Sequence, residues 1–231
     1  MSEQLSDNVA RFIQEYIYKL RDAGVSGINQ YEQRLRNNAK TSVLDDLCFE
    51  GRAALMFQQN GFQVTLRDSP DLQLELDKEV VYAEVKHFKE KEQDKIDEQN
   101  MSEADDVFVT IGDLTVTNEC PAWKQIAGVA IRKVEQYIDN YPNILVIESS
   151  SDSLELMATT AVHEYEDGVH KRNDPRFLRL NAIMLVNTGL TSFGSKGPCN
   201  VKFCQTSNAA IPLSESLTMA FTSIRWDRMM L

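Results

Sequence analysis

The sequence contains no apolar run long enough to cross a membrane. Its apolar stretches, such as residues 144–147 and 182–186, have the length of single strands, whereas a membrane-spanning helix needs about 20 consecutive apolar residues. The amino-terminal residues MSEQLSDNVARF also lack the basic start and the apolar segment of a secretory signal. We therefore expect a cytoplasmic protein with reduced thiols and no membrane contact.

Cysteine and histidine are too few and too scattered to indicate a zinc site. Of the four cysteines, the closest pair is Cys199 and Cys204, with four residues between them, and the three histidines form no H-x3-H or H-E-x-x-H pattern. Structural zinc sites use cysteines separated by about two residues, usually in two such pairs. We therefore interpret the cysteines as free thiols. No G-x-S-x-G turn is present to support a serine hydrolase.

Glycine and proline are also sparse, with 10 and 6 in 231 residues, and 42% hydrophobic and 26% charged residues are typical of a globular protein. The length fits one domain.

The formal charge of −11 argues against sequence-blind coating of nucleic acid, which depends on neutralising phosphates. Part of the excess is local, because residues 91–110 hold two lysines and seven acids, which predicts a solvated loop.

Helical periodicity dominates the first quarter of the chain. Residues 3–23 carry apolar side chains three and four positions apart, as in an amphipathic helix. A second, more polar helix is predicted over residues 28–38. Thr41 or Ser42 is placed to cap a third helix that ends at Gly61. Residues 1–42 are thus predicted to be a helical extension that serves in packing or as a dimer surface.

The pattern then changes to the two-residue alternation of strands. A three-stranded meander is predicted, followed by a polar, acidic insertion at 89–119 with a short strand pair at 107–111 and 114–116. The order of elements predicts one mixed α/β domain over residues 1–231, with 149–231 completing the sheet. The predicted elements are strands at 62–67, 72–76 and 79–88, a helix at 122–139, a strand at 144–147, a helix at 154–165, and strands at 180–186 and 201–205.

The hairpin around Asp77 and Lys78 brings two carboxylates together. If these two residues form the turn, the numbers of facing partners add up to 155, so Asp71 faces Glu84. Lys86 then projects from the same face as Glu84, because side chains alternate along a strand. Facing like charges destabilise a hairpin, so a bound cation explains this pair better than a bare surface hairpin does. Mg²⁺ prefers carboxylate oxygens, and a neighbouring lysine can orient a water for phosphodiester hydrolysis.

These residues resemble the signature of the PD-(D/E)xK nuclease superfamily, which has the restriction-endonuclease-like fold. The resemblance consists of Pro70-Asp71, twelve intervening residues, and Glu84-Val85-Lys86. It implies that Asp71 and Glu84 bind Mg²⁺ or Mn²⁺. It also implies that Lys86 positions or activates the attacking water.

The resemblance covers residues 43–148 and implies further site residues. Glu50 lies in the stretch FEGRAAL, in the helix before the meander, where the family often has a metal-binding glutamate. Lys133 and Gln136 lie on the predicted helix after the insertion, where the family often has a supporting lysine or glutamine. The implied fold is an α/β core whose mixed central sheet is flanked by helices.

The sequence thus predicts a metal-dependent nuclease that acts on DNA, in defence or repair. The stretch HKRNDPRFLR, which begins at His170, holds the best candidates for phosphate contacts, Lys171, Arg172 and Arg176; ordinary surface charge is the competing interpretation. A double-strand cut needs two active sites, which favours a homodimer. The alternatives are a non-catalytic module of this fold that binds protein or nucleic acid, and an interaction protein that dimerises through residues 3–23.

Overall fold

The structure is a computed structural model that describes residues 7–41, 43–87, 122–149, 154–187 and 200–225. It is a mixed α/β fold in which a six-stranded mixed sheet is flanked by helices, which confirms the predicted class. The helices are α1 (Asp7–Asp22), α2 (Ile28–Asn38), α3 (Val43–Gln59), α4 (Ala122–Arg132), α5 (Leu154–Arg172) and α6 (Glu215–Ser223). The strands are β1 (Gln63–Leu66), β2 (Leu72–Leu76), β3 (Glu79–His87), β4 (Asn143–Glu148), β5 (Leu180–Asn187) and β6 (Asn200–Gln205). Short 3-10 helices are formed by Val134–Gln136 and Pro175–Arg179.

The strands lie side by side in the order in which they occur along the chain. β1, β2 and β3 form an antiparallel meander, β3, β4 and β5 run parallel, and β6 pairs antiparallel with β5. Parallel neighbours require crossover connections, and α4 and α5 lie in those connections. β2 begins opposite the middle of β3, so residues 84–87 of β3 pair with β4 alone. This step in the sheet positions the candidate site.

The hairpin between β2 and β3 has the predicted register. Asp77 and Lys78 form its turn with φ of 50° and 71°, the left-handed conformation that a two-residue type I′ turn needs. The ladder ends where Leu72 faces Ala83, a pair whose numbers add up to 155 as expected. Asp71 therefore lies one residue beyond the ladder, at the step in the sheet.

The two faces of the sheet are covered by different helices. α1, α2 and α3 pack on one face, together with the apolar side chains of the meander such as Leu72, Leu74 and Val81. α4 and α5 pack on the other face, where Leu145 and Ile147 of β4 are buried. Helices on both faces explain why β4 and β5 are buried along their whole length.

α3 approaches α1 and α2 most closely at Gly51. A side-chain carbon at this position would lie 2.4 Å from the hydroxyl oxygen of Tyr16 and 2.6 Å from that of Tyr31, so a larger residue does not fit. Both hydroxyls donate hydrogen bonds to backbone carbonyls of α3. These contacts fix the turn of α3 that carries Glu50.

The predicted ends of α3 are confirmed. The hydroxyl oxygen of Thr41 accepts a hydrogen bond from the backbone N–H of Val43 at 3.2 Å, as a capping residue does. Gly61 has φ of 90°, the conformation in which glycine commonly ends a helix. Ser42, the other predicted cap, lies outside the described residues.

The helix predicted over residues 122–139 is too long. It ends at Arg132 and is followed by a 3-10 turn. Tyr137 is already extended, with φ of −72° and ψ of 129°, and the side-chain amide of Asn143 bonds both backbone polar groups of Ile138. These bonds satisfy the backbone groups of Ile138 outside a helix. A side chain that competes with helical hydrogen bonds in this way cannot be recognised from apolar periodicity.

The helix predicted over residues 154–165 is too short. α5 continues to Arg172, because Val169 extends its buried face, and it ends before Asn173, which has φ of 50°. The additional turns place Lys171 and Arg172 on a helix rather than in a loop.

Several predictions fall on residues outside the described ranges. These are the insertion at 89–119, its strand pair at 107–111 and 114–116, and the first residues of the helix predicted over 3–23. Cys48 and Cys204 are free, as expected. Among the described residues, no helix is both long and apolar enough to cross a membrane.

Candidate metal-binding carboxylate site

Three carboxylates from separate elements are buried around the step in the sheet. Glu50 lies in α3, Asp71 directly precedes β2, and Glu84 lies in β3. Their exposed fractions are 6%, 6% and 2%. Acidic side chains are almost never buried unless they are paired, so the groups that neutralise them belong to the site.

Asp71 is held against β3 by a hydrogen bond to the backbone. Its Oδ2 accepts from the N–H of Val85 at 2.8 Å. Its own carbonyl accepts from the N–H of Arg67, also at 2.8 Å, and the Ser69–Pro70 peptide bond before it is cis. The backbone thus fixes this carboxylate beside the strand that carries Glu84.

The three carboxylates interact electrostatically. Burial raises the pKa of Asp71 well above its usual range, and the charges of Glu50 and Glu84 raise it further. Burial also raises the pKa of Glu50 to about 7, although the guanidinium of Arg34 opposes the rise. These carboxyls therefore retain a proton more readily than exposed ones, and a bound cation would displace it.

Lys133 and Arg34 supply positive charge to this group. The ammonium of Lys133 donates to Oε1 of Glu84 at 2.5 Å, and the guanidinium of Arg34 donates to both carboxylate oxygens of Glu50, at 3.0 and 2.8 Å. Oε2 of Glu84 is buried and has no hydrogen-bond partner among the described residues. An unsatisfied buried acceptor is costly, which makes this oxygen a candidate metal ligand.

Lys86 lies two residues after Glu84 and bonds a fourth acid. Its ammonium donates to Oδ2 of Asp46 at 3.0 Å. Sequence reasoning missed Asp46, although its position four residues before Glu50 places the two on one face of α3. It also missed Arg34, since no local pattern links α2 to Glu50.

The early end of α4 brings Lys133 to Glu84. Lys133 has φ of −86° and ψ of 2°, outside the helix on which the sequence had placed it. Gln136 follows on the 3-10 turn, and its Oε1 is buried with no hydrogen-bond partner in the part of the chain that is described. Both predicted supporting residues thus lie on a turn rather than on one helical face.

A further polar cluster lies at the ends of β3 and β4. Nδ1 of His87 lies 2.5 Å from Oε2 of Glu148, and the guanidinium of Arg52 donates to the same oxygen at 3.0 Å. The parallel register places His87 opposite Glu148. Sequence reasoning did not identify this cluster, because that register appears only in the folded sheet.

The predicted phosphate contacts lie on α5 and the 3-10 helix after it. Lys171 and Arg172 are exposed on the last turn of α5. Arg176 forms ion pairs with Asp174 and Glu135. Within the described ranges, none of the three predicted residues forms an ion pair with the buried carboxylates.

The donor chemistry of the three carboxylates suits a divalent cation better than their present arrangement does. Within the described residues, no three His, Cys, Asp or Glu side chains are arranged as a ready-made metal site, and Lys133 and Arg34 bond oxygens of Glu84 and Glu50. The chemistry of the donors nevertheless suits Mg²⁺, which prefers carboxylate oxygens. Glu84 has an unsatisfied oxygen, and the pKa of Asp71 is raised by burial and then by neighbouring negative charge. These two are the first candidates as ligands, and Glu50 is the next.

Comparisons with known proteins add no assignment to this site. No protein-family model, no curated protein and no solved structure matches the chain.

Proposed function

We propose that the protein is a nuclease that depends on Mg²⁺ or Mn²⁺ and hydrolyses the phosphodiester bonds of DNA. The observation that carries this proposal is the burial of Glu50, Asp71 and Glu84, from three elements, within electrostatic reach of one another. Two of these residues have the spacing of the PD-(D/E)xK motif. The core that holds them would be restriction-endonuclease-like.

Stability alone gives no reason for this arrangement. Burial of like charges raises the free energy of the folded state, and replacing buried ionic groups by apolar residues is often neutral or stabilising. Carboxyls with raised pKa values that lie together are typical of functional sites. A cation-binding role accounts for the free energy that the burial of these like charges costs.

The residues divide into metal ligands and water-positioning groups. Asp71 and Glu84 would hold the metal ion, with Glu50 assisting. When bound, the ion would polarise the phosphodiester and lower the pKa of a water molecule. Lys86 would orient the attacking water, since its ammonium lies on the same strand two residues from Glu84.

Lys133 and Gln136 would support this chemistry. The hydrogen bond from Lys133 fixes Oε1 of Glu84 and thereby orients the unsatisfied Oε2. The same ammonium would balance negative charge that develops on the phosphate. The unsatisfied Oε1 of Gln136 can accept a hydrogen bond from a water molecule.

A second candidate is a non-catalytic module of the same fold that binds protein or nucleic acid. It is favoured by the hydrogen bonds from Nη2 of Arg34 to both carboxylate oxygens of Glu50 and by the ion pair between Lys133 and Glu84. In this interpretation the basic groups are permanent partners of the carboxylates, and no metal ion enters.

Metal titration followed by cleavage assays separates the two functions. Calorimetry with Mg²⁺ and Mn²⁺ is performed on the wild type and on Glu84→Gln, and the same samples are then incubated with plasmid and single-stranded DNA. We expect the wild type to bind metal and to nick DNA only in its presence. Glu84→Gln should lose metal binding and at least about a hundredfold in cleavage rate. Lys86→Ala should keep metal binding and lose cleavage by a similar factor.

Glu75→Gln provides the matched control. Glu75 lies in the same hairpin, half-buried in β2 opposite Val80, so its substitution should leave metal binding and cleavage unchanged. Wild-type cleavage rates in both Glu84→Gln and Lys86→Ala, with circular dichroism confirming that they fold, would refute the assignment of these residues to the active site. A wild type that binds no metal at millimolar concentration would favour the binding module.

A further inference from the structure

A groove between α4 and α5 is lined by basic side chains. It has a volume of about 710 Å³. Four cations line it and are called the groove cations here: Lys124 and Arg132 on α4, and Lys171 and Arg172 on α5. Glu164 is the one acid in the lining. This balance is the reverse of that of the whole chain, whose formal charge is −11.

The groove cations are exposed and are not paired with acids of the described residues. Within the described residues, none of the four takes part in a salt bridge. Arg176 and Arg179, a few residues farther along the chain, are by contrast paired with Asp174 and Asp139. Uncompensated positive charge in a concave surface attracts an anionic ligand.

Two glycines form the floor of the groove. Gly128 and Gly168 lie one helical turn before Arg132 and Arg172. A side-chain carbon would lie 3.3 Å from Nη1 of Arg132 at the first glycine, and 3.0 Å from Nη1 of Arg172 at the second. Each guanidinium therefore lies close over the backbone of its own helix.

The geometry points to this groove as a binding site for the phosphate backbone of DNA, an inference that rests on the proposed nuclease function. Lys124 and Arg132 are eight residues apart, or about 12 Å along the axis of α4. Measured along the axis of a B-form duplex, that length corresponds to three or four phosphates of one strand, which rise by about 3.4 Å each. Arg132 directly precedes Lys133, which bonds Glu84, so the groove adjoins the carboxylate site at the end of α4.

DNA binding without metal tests the groove separately from catalysis. A fluorescent DNA duplex is titrated in EDTA, over a range of salt concentrations, with the wild type and with the double variant Arg132→Gln/Lys171→Gln, which removes one groove cation from each helix. We expect the variant to bind about tenfold more weakly at low salt and to lower the slope of log Kd against log salt by about 2. Arg11→Gln/Lys19→Gln on α1 removes the same charge from exposed positions and should bind as the wild type does.

The outcomes distinguish the groove from the active site. Glu84→Gln should bind the duplex like the wild type, since Glu84 is not in the groove. Equal affinity of the groove variant and the wild type, or no binding by the wild type at low salt, would overturn the groove assignment. A wild type that binds DNA through the groove but does not cleave it in the presence of metal would support the groove assignment and refute the proposed nuclease function.

Discussion

The two ends of the β2–β3 hairpin contain similar charged residues but bury them differently. At the turn end, Asp77 and Lys78 are exposed and need only the left-handed backbone of a tight turn. At the open end, Asp71 and Glu84 are 6% and 2% exposed and need cations from distant elements. Hairpin geometry explains the charged residues at the turn end. The buried acids at the open end are explained only by a function that requires buried charge.

The largest effect on stability is expected at Lys133, which neutralises the open end. Lys133→Ala leaves the buried carboxylate of Glu84 without a counter-charge, so the free energy of unfolding above neutral pH should fall by about 3 kcal/mol. Urea denaturation measures this change. Lys124→Ala, which replaces an exposed lysine of α4, is the control and should change stability by less than about 0.5 kcal/mol.

The double variant Glu84→Gln/Lys133→Ala sharpens this prediction. It should recover most of the stability lost in Lys133→Ala, because no buried charge then remains to be paired. Additive losses in the two single variants would show that the ion pair does not couple these residues.

The pH dependence of stability should differ between the two ends. Glu50 keeps its proton in the folded protein up to a pKa of about 7, whereas its ordinary pKa is 4.5. Between these values the folded state binds more protons than the unfolded state, so the free energy of unfolding falls as pH rises, by up to about 3 kcal/mol. Thermal melts across this window measure the fall, which Glu50→Gln should reduce by the contribution of Glu50 while that of Asp71, whose pKa burial also raises, remains. If stability depends on pH in the same way in the wild type and in Glu50→Gln, the raised pKa of Glu50 would be contradicted.

The smallest effect is expected at the turn end. Lys78 has φ of 71°, a conformation that glycine adopts without steric cost. Lys78→Gly should therefore stabilise the protein by about 0.5 kcal/mol, the net of relieved strain and the greater entropy of an unfolded glycine. Urea denaturation checks the sign, and metal binding and cleavage should not change. A loss of stability would mean that the lysine side chain contributes contacts of its own.

Local rules were sufficient to predict the hairpin and the position of its acids. Alternation and a two-residue turn gave the register that places Asp71 just beyond the ladder and Glu84 on the adjoining strand. The polar stretch at residues 28–38 likewise predicted α2, and the capping positions at Thr41 and Gly61 predicted the ends of α3. These features depend on neighbours within a few residues of each other.

The cationic partners of the acids could be identified only from the folded structure. Arg34 reaches Glu50 from another helix, and Lys133 reaches Glu84 only because α4 ends earlier than its apolar pattern predicts. That end depends on Asn143, whose amide bonds Ile138 from the start of β4. Side-chain competition for backbone groups across such distances leaves no periodic signal in the sequence.

The order of the strands also sets the order in which the site is assembled during synthesis. Each strand of the sheet is added beside the one made before it, and chains begin to fold from the amino terminus as they are made. Glu50, Asp71 and Glu84 all leave the ribosome before Lys133. The nascent meander must therefore keep Asp71 and Glu84 in contact with water, and Glu84 gains its cationic partner only after the segment that follows α4 has been made.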